Sequence, residues 1–244
     1  MLPKIDVPIY ETTLISNGMK IKFRPFLVKE QKLFLMASQS DDNKDMIDAI
    51  KQVIRNCVLT EIDVDTLPTF DLENLFIQLR ARSVNEIVNL SYNCNNTVVN
   101  DKGENKTCGN LVSFDINLLE LQAEKNPNHT NKIAINEKLG IVMKYPTFNM
   151  MEKVDVETND LSQILDIIIS CIDYIYDEDN LYYAKDATKE ELTDFIENMK
   201  QSDLEKIQEF FTTLPKLKKD LHFHCNKCGY EENITVEGIQ NFFV

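Results

Sequence analysis

The sequence has few of the residues and motifs on which catalytic sites depend. It contains three histidines, His129, His222 and His224, so general acid–base chemistry has few candidates. His129 lies in a polar stretch and is expected to be solvated. The phosphate-binding patterns G-x-x-x-x-G-K-S/T and G-x-G-x-x-G are absent, as are G-x-S-x-G and H-E-x-x-H. These absences favour a protein that is not an enzyme and has no small-molecule substrate.

Positive charge is also scarce. The 26 Lys and Arg residues face 40 Asp and Glu residues, which gives a formal net charge of −14. Nucleic-acid backbones and anionic membrane surfaces attract clustered Lys and Arg, so this balance disfavours binding to either. We therefore expect no nucleic acid among the partners of this chain.

Long apolar runs are missing as well. A membrane span needs roughly 18 or more apolar residues in succession. The longest apolar stretch, 164–176, is interrupted by Asp166 and Asp173. The start of the sequence lacks the basic and then apolar pattern of a signal peptide. We therefore expect no membrane span and a reducing cytoplasm, in which cysteines are thiols or metal ligands.

The pattern of apolar residues indicates an α+β fold that opens with a β-hairpin. Asn17 and Gly18 suit a tight turn, and the residues that follow, MKIKF, alternate apolar and basic side chains. Apolar residues then recur at helical spacing within 29–38 and 41–58. Asp71 is a candidate N-cap for a third helix. The N-terminal part is thus predicted to be a hairpin followed by helices.

Strand patterns return in the middle of the chain, and helical patterns return in the last third. Strands are expected over 85–94, over 110–118 and, as a pair that turns near Gly140, within 133–146. A helix with Asp160 as its cap is expected to run to Ile175. Two capping-box patterns then predict a helical hairpin; they are Thr188 with Glu191 and Ser202 with Glu205. With only six glycines to supply flexible linkers, residues 1–244 are expected to form a single domain.

Four of the six cysteines lie in two segments that have the same layout. The pairs are Cys225 with Cys228 and Cys94 with Cys108, and a glycine follows the second cysteine of each pair. Each pair lies between two strand-like stretches, as in a zinc knuckle at the tip of a hairpin. The glycine suits such a tip because the residue after the second cysteine often takes a left-handed conformation. Two knuckles supply the four thiolates of a closed tetrahedral zinc site.

The sequence therefore predicts a structural Zn2+ site with ligands Cys94, Cys108, Cys225 and Cys228. The site belongs to a small zinc-ribbon-like β subdomain formed by residues near 87–118 and 220–236, with the tail to 244 attached to it. The long spacing within the first pair is interpreted as an extended hairpin tip. Four protein ligands leave no position for water or substrate, so the predicted role is architectural.

Two alternatives to this site stay open at the sequence level. In one, the C-terminal pair consists of free surface thiols and the other pair is unrelated to it. In the other, His222 or His224, which share one strand face, replaces a cysteine as ligand. Cys57 and Cys171 lie on apolar faces of predicted helices and are expected to be small buried hydrophobic residues.

Two segments carry a family resemblance. They are TLPTFDLENLFIQLRARSVNEIVNLSYNC, residues 66–94, and FHCNKCGYEENITVEGIQNFF, residues 223–243. Through them the chain resembles, over most of its length, the base plate protein family of T4-like contractile-tailed bacteriophages, and within it the hub subunit and hub assembly proteins. The resemblance carries over no active-site residue.

The resemblance implies a non-enzymatic structural or assembly role in the central hub of the tail base plate. The implied partners are other base plate and tail hub proteins. The implied location is the host cytoplasm during assembly, and retention in the virion tail is left open. Residues Ile239, Phe242 and Phe243 have the spacing of one helix stripe, which could contact either the chain's own core or a neighbour.

The alternative function is a zinc-ribbon adaptor or regulator that contacts transcription or replication machinery. The acidic charge disfavours direct contact of such a protein with nucleic acid. A third possibility is an enzyme that uses a cysteine thiolate, but the sequence offers no identifiable base to activate one.

Overall fold

The computed structural model describes residues 5–37, 39–40, 43–99, 103–121, 123, 125–151 and 161–238. Helices and antiparallel strands alternate along these residues, which confirms the predicted α+β class. No helix among them is both long enough and apolar enough to span a membrane. Asp160 and residues 239–243, for which the sequence predicts a helix cap and a helix stripe, lie outside the described residues.

The first third of the chain is a β-hairpin packed on three helices. Strand β1 (Tyr10–Thr13) pairs with β2 (Lys20–Phe23), and α1 (Val28–Ala37), α2 (Asn43–Cys57) and α3 (Thr69–Ser83) follow. The alternation of β2 buries its two apolar side chains and exposes its two lysines, as the two-residue period of a strand requires. The core of this part includes Ile21, Phe23, Val53, Ile54, Leu72, Leu75 and Leu79.

The predicted N-terminal hairpin is confirmed, but the turn and the third helix differ in detail. Gly18 alone takes a positive φ, of +73°, among the residues of this turn. Helix α3 begins at Thr69, two residues before Asp71, so the prediction of Asp71 as its N-cap is wrong. The buried carboxylate of Asp71 instead accepts hydrogen bonds from the amides of Ile15 and Ser16, and thereby holds the hairpin turn against α3.

Two nested hairpins follow α3. Strand β3 (Ile87–Asn93) pairs along its whole length with β6 (Leu111–Asn117). Between them, β4 (Thr97–Val99) pairs with β5 (Asn105–Thr107) and forms a smaller hairpin at the tip of the larger one. The strands expected over 85–94 and 110–118 are therefore confirmed.

A four-stranded antiparallel sheet occupies the next part of the chain. Its strands lie in the order β10 (Leu181–Tyr183), β9 (Ile172–Tyr176), β8 (Gly140–Met143) and β7 (Lys132–Ala134). The helices of this part are α4 (Phe148–Met151), α5 (Leu161–Ser170), α6 (Lys189–Glu197) and α7 (Gln201–Thr212). Their shared core includes Ile141, Ile168, Ile172, Leu192, Ile196, Ile207 and Phe210.

The predicted helix to Ile175 ends early. Helix α5 stops at Ser170, and the residues after Cys171 form β9, which pairs with β8 on one side and β10 on the other. The run IDYIY is rich in β-branched and aromatic residues, and two-sided pairing outweighs its helical spacing. The capping box of α6, formed by Thr188 and Glu191, is confirmed.

The second capping box is wrong. Helix α7 begins at Gln201 with Lys200 as its N-cap, and no side chain caps it, so Ser202 lies inside the helix.

The described chain closes with a second long hairpin, which packs against the nested pair of hairpins. Strand β11 (Lys218–His224) pairs with β12 (Glu231–Glu237). Apolar side chains from this hairpin, from β3 and β6 and from α3 form a common core: Ile77, Ala81, Leu90, Ile116, Leu118, Leu221 and Val236. This packing brings the tips of the two long hairpins to the same place.

Candidate metal centre

Each of the two cysteine pairs lies at the tip of a long hairpin. Cys94 directly follows β3, and Cys108 comes shortly before β6. Cys225 directly follows β11, and Cys228 comes shortly before β12. Within the described residues, these four cysteines form the one cluster with the composition and proximity of metal ligands. The structure thus brings together all four residues that the sequence predicts as ligands.

The two tips share the same backbone hydrogen bonds. In each, the amide of the first cysteine donates to the carbonyl two residues beyond the second cysteine. The N–H of Cys94 lies 2.8 Å from the oxygen of Asn110, and the N–H of Cys225 lies 2.9 Å from the oxygen of Tyr230. The two tips are therefore copies of one turn, although the number of residues between the cysteines differs greatly.

The glycine after each pair completes this turn. Gly109 and Gly229 donate their amides to the carbonyls of Cys94 and Cys225, at 3.0 and 2.8 Å. Both glycines have a positive φ, of +64° and +73°, in the left-handed region that side chains disfavour. The glycine that follows each cysteine pair in the sequence is thus explained by the backbone conformation of the turn.

The first cysteine pair forms a short knuckle into which a hairpin is inserted, and this insertion accounts for the long spacing between Cys94 and Cys108. Residues 97–107 leave and rejoin the tip as β4 and β5, with Thr97 paired to Thr107. At the base of this insertion the amide of Cys108 donates to the carbonyl of Asn96 at 2.8 Å. With the insertion set aside, two residues separate the cysteines, as in the C-terminal pair.

The four sulfurs have the spacing of a tetrahedral site. The Sγ atoms of Cys94 and Cys228 are 3.6 Å apart, and those of Cys108 and Cys225 are 3.8 Å apart. All four lie within 4.8 Å of one another. Zinc–sulfur bonds of about 2.3 Å in a tetrahedron place the sulfurs about 3.8 Å apart. The donor set and its dimensions therefore fit a tetrahedral ion of the kind that thiolates bind.

One side chain from each tip contacts the other tip. In both tips this side chain belongs to the second residue after the first cysteine, Asn96 or Lys227. The side-chain amide of Asn96 donates to the sulfur of Cys228 at 3.5 Å. The ammonium of Lys227 donates to the carbonyl of Cys108 at 3.3 Å. These two residues hold equivalent positions in the two knuckles, so the contacts are reciprocal. The sequence alone did not indicate them, although their place after the first cysteine of each pair is the signal that marks them.

The cluster is shielded by aromatic side chains. The rings of Phe114 and Phe223 lie 6.3 Å apart, and the ring of Tyr230 lies 6.4 Å from that of Phe223. Cys94 and Cys225 are fully buried, whereas Cys228 is half-buried. The sulfurs therefore lie in surroundings that exclude most water, which strengthens any charge interaction among them.

These surroundings shift the pKa values of the four thiols in different directions. Burial raises the pKa of the Cys94 thiol to about 12. Burial also opposes ionisation of Cys225, but the backbone amides of Cys228 and Lys227 donate to its sulfur, and its pKa falls to about 6. The side-chain amide of Asn96 lowers the pKa of Cys228. Neighbouring thiolates repel each other, so four thiolates at this distance require a cation to balance their charge.

The two histidines beside the cluster point away from it. His222 and His224 are exposed, and their Nδ1 atoms contact Asn233 Oδ1 at 3.2 Å and Glu231 Oε1 at 2.8 Å. They lie on the face of β11 opposite the buried Phe223. In this arrangement neither histidine takes the place of a cysteine.

The other two cysteines are buried in cores other than that of the four clustered cysteines, and their burial is as expected. Cys57 ends α2 in the first core, and Cys171 lies between α5 and β9 in the core of the four-stranded sheet. Burial raises the pKa of Cys57 to about 11 and that of Cys171 to about 12. Both are therefore small core residues with unreactive thiols.

Comparison with known proteins gives the class of this chain. A family model described as T4 bacteriophage base plate protein matches residues 7–244, and the chain belongs to this family. The resemblance found in the sequence is thereby confirmed. The chain is also similar to the baseplate hub assembly protein gp26 of Enterobacteria phage T4, with 24% identity over 224 residues, which cover 91% of this chain and 92% of that protein. No solved structure matches the chain at a significant level.

Proposed function

We propose that this chain is a non-enzymatic structural or assembly protein of the central hub of a contractile phage tail base plate. Its partners are other base plate and tail hub proteins, and it acts in the host cytoplasm while the base plate is built. The observation that carries this proposal is the family match over residues 7–244. The similarity to a hub assembly protein over nearly the full length of both chains points to the hub in particular.

The second part of the proposal is a structural Zn2+ ion held by Cys94, Cys108, Cys225 and Cys228. When bound, the ion supplies the positive charge that lets four neighbouring thiolates coexist. The two hairpin tips around it form a zinc-ribbon-like subdomain, near 87–118 and 220–236, of a single domain over 1–244. Support comes from the sulfur spacing and from the matching hydrogen bonds of the two tips. A site closed by four cysteines stabilises the fold and leaves no position for a substrate.

Metal analysis of the purified protein tests the zinc site. We expect close to one zinc per chain, and the visible absorption of tetrahedral thiolate coordination after exchange for Co2+. Cys225→Ser should lose the metal and lower the Tm by on the order of 10 °C, because the ion cross-links segments more than a hundred residues apart. Cys57→Ala is the matched control, since it removes a buried thiol outside the cluster and should keep the metal. A metal-free chain whose Tm does not respond to zinc would contradict the site.

Co-expression with hub proteins of the same phage tests the hub function. We expect the chain to co-purify with at least one central hub protein, and not with the tail sheath protein, which serves as the control partner. Loss of the chain during infection should stop base plate assembly before the hub is complete. Normal base plates in its absence would contradict the proposal.

A further inference from the structure

A mostly apolar groove lies among described residues that do not include the cysteine cluster. Its volume is about 940 Å3. Its walls come from the start of α3, from α5, from the end of α7, from the segment that joins α7 to β11, and from the end of β12. The apolar wall residues include Phe70, Ile164, Ile167, Phe211, Leu214 and Leu217. Ile164 is 42% exposed in the groove although it belongs to the apolar face of a helix. An open apolar surface of this kind calls for an occupant.

The described chain ends inside this groove. Strand β12 finishes at Glu237, and both Glu237 and Gly238 line the groove. The amide of Gly238 donates to the carbonyl of Leu217 at 3.2 Å, and Gly238 has a φ of +77°. The chain therefore changes direction at Gly238 while it is fixed to one wall, so the next residues start at the groove.

The residues that follow Gly238 are mostly apolar, as a segment that fills an apolar groove should be. Residues 239–244 read IQNFFV, with four apolar side chains and no charged one. Met151, which also lines the groove, is followed by a second segment outside the described residues, 152–160, whose sequence EKVDVETND carries five charges. A phenylalanine side chain buries about 150–250 Å2 of surface, so Phe242 and Phe243 would contribute most of the apolar surface that this segment could bury in the groove. Of the two segments, 239–244 is the one that the groove suits.

We propose that residues 239–244 of this chain fill the groove between α3, α5 and α7, with Phe242 and Phe243 against its apolar walls. Six residues reach at most about 20 Å when extended, and Gly238, from which they continue, already lines the groove. The occupied groove joins the hairpin of β11 and β12 to the helices that cover the four-stranded sheet. This inference is independent of the hub function and of the metal.

Tryptophan fluorescence tests the proposal directly. The sequence contains no tryptophan, so Phe243→Trp introduces a single reporter. We expect its emission at shorter wavelength than in the urea-unfolded chain, with protection from acrylamide quenching. Adding Ile164→Asp, which places a charge in the groove, should move the emission to the exposed value and remove the protection.

A matched control separates the groove from a general effect of a new charge. Ile87→Asp changes the same residue type at a position that is 41% exposed on β3 and does not line the groove, so the reporter should be unaffected. If Ile164→Asp does not fold, Thr212→Lys charges the same groove from an exposed position at the end of α7. Folding of each variant is checked by its cooperative melting.

Three results would overturn the proposal. An exposed reporter in the folded single variant would mean that the groove is open to another protein. A buried reporter that ignores both groove variants would place the segment elsewhere. Protection that disappears on dilution would mean that the segment occupies the groove of a second copy.

Discussion

At the residue scale, His129 shows that the environment of a side chain in the fold can differ from the environment that its sequence neighbours suggest. It lies in a polar loop and was expected to be solvated, but its ring stacks on Tyr145 with centroids 5.6 Å apart and contacts Phe210 at 5.2 Å. Its Nδ1 atom lies 2.9 Å from the hydroxyl of Thr213, and its Nε2 atom is enclosed and has no hydrogen-bond partner among the described residues. The loop is therefore fixed to α7 by an imidazole that is favoured in its neutral form.

We predict that this histidine makes the protein less stable in mild acid. Burial lowers the pKa of His129, and the charge of Lys125 lowers it further. The unfolded chain then binds a proton more readily than the folded chain, so the contribution of His129 is fully present above its ordinary pKa of about 6.5 and is lost as the pH falls through the lower folded pKa. The Tm of the wild type should fall more steeply from pH 7.5 to pH 5 than that of His129→Phe.

The phenylalanine variant is suitable because it keeps an aromatic ring against Tyr145 and Phe210 but cannot be protonated. Acidic groups elsewhere titrate in both proteins, so the difference between the two Tm curves isolates position 129. Parallel curves would show that His129 is not held neutral by its surroundings.

At the element scale, the first knuckle consists of a turn that holds the two cysteines and of a hairpin inserted into that turn. The backbone hydrogen bonds that define the turn join residues 94–96 to residues 108–110. Strands β4 and β5 take no part in these hydrogen bonds. We predict that deletion of 97–107, which joins Asn96 to Cys108, leaves a working C-x2-C knuckle. The shortened protein should bind the proposed zinc ion as the full-length chain does, with a Tm within a few degrees of the wild type.

Deletion of one residue more provides the control. Removal of 96–107 leaves a single residue between Cys94 and Cys108, which is too few to form the turn, so this variant should lose the metal. Equal metal content in both deletion variants would contradict the description of 97–107 as an insertion.

Local signals explain which elements the sequence predicted and which it did not. The N-terminal hairpin, the alternation in β3 and β6 and the capping box of Thr188 depend on a few neighbouring residues, and each is confirmed. The run after Cys171 satisfies the helical and the strand period equally well, and only pairing with β8 and β10 makes it a strand. Tertiary contacts of this kind are not visible in a short window of sequence.

The same distinction applies to the candidate site. Cysteine spacing and the glycine after each pair predicted which four residues would meet, because they report on the turn itself. The contacts of Asn96 with Cys228 and of Lys227 with Cys108 join residues more than a hundred positions apart. These contacts depend on how two hairpins pack, so the position that Asn96 and Lys227 share after the first cysteine marks the residues but does not predict what they contact.

At the scale of the whole molecule, α3 connects the cores. Leu75 and Leu79 pack in the core of the N-terminal part, while Ile77 and Ala81 pack in the core shared by the long hairpins. A helix that is buried on opposite faces transmits a loss of packing on one side to the other. We therefore propose that the described parts melt together, as a single domain would.

Hydrogen exchange with and without a metal chelator checks this proposal. Chelation should first expose the amides of β3, β6, β11 and β12 near their tips, since the sulfurs no longer share a cation. Exchange at Val53 and Ile54, in the core of α2, should rise afterwards and by a smaller factor, because it is reached only through α3. Thermal melting should remain one transition in both states, shifted to lower temperature by chelation. Two separate transitions, with α2 unchanged while the hairpins open, would show instead that the zinc-ribbon-like part folds as its own unit.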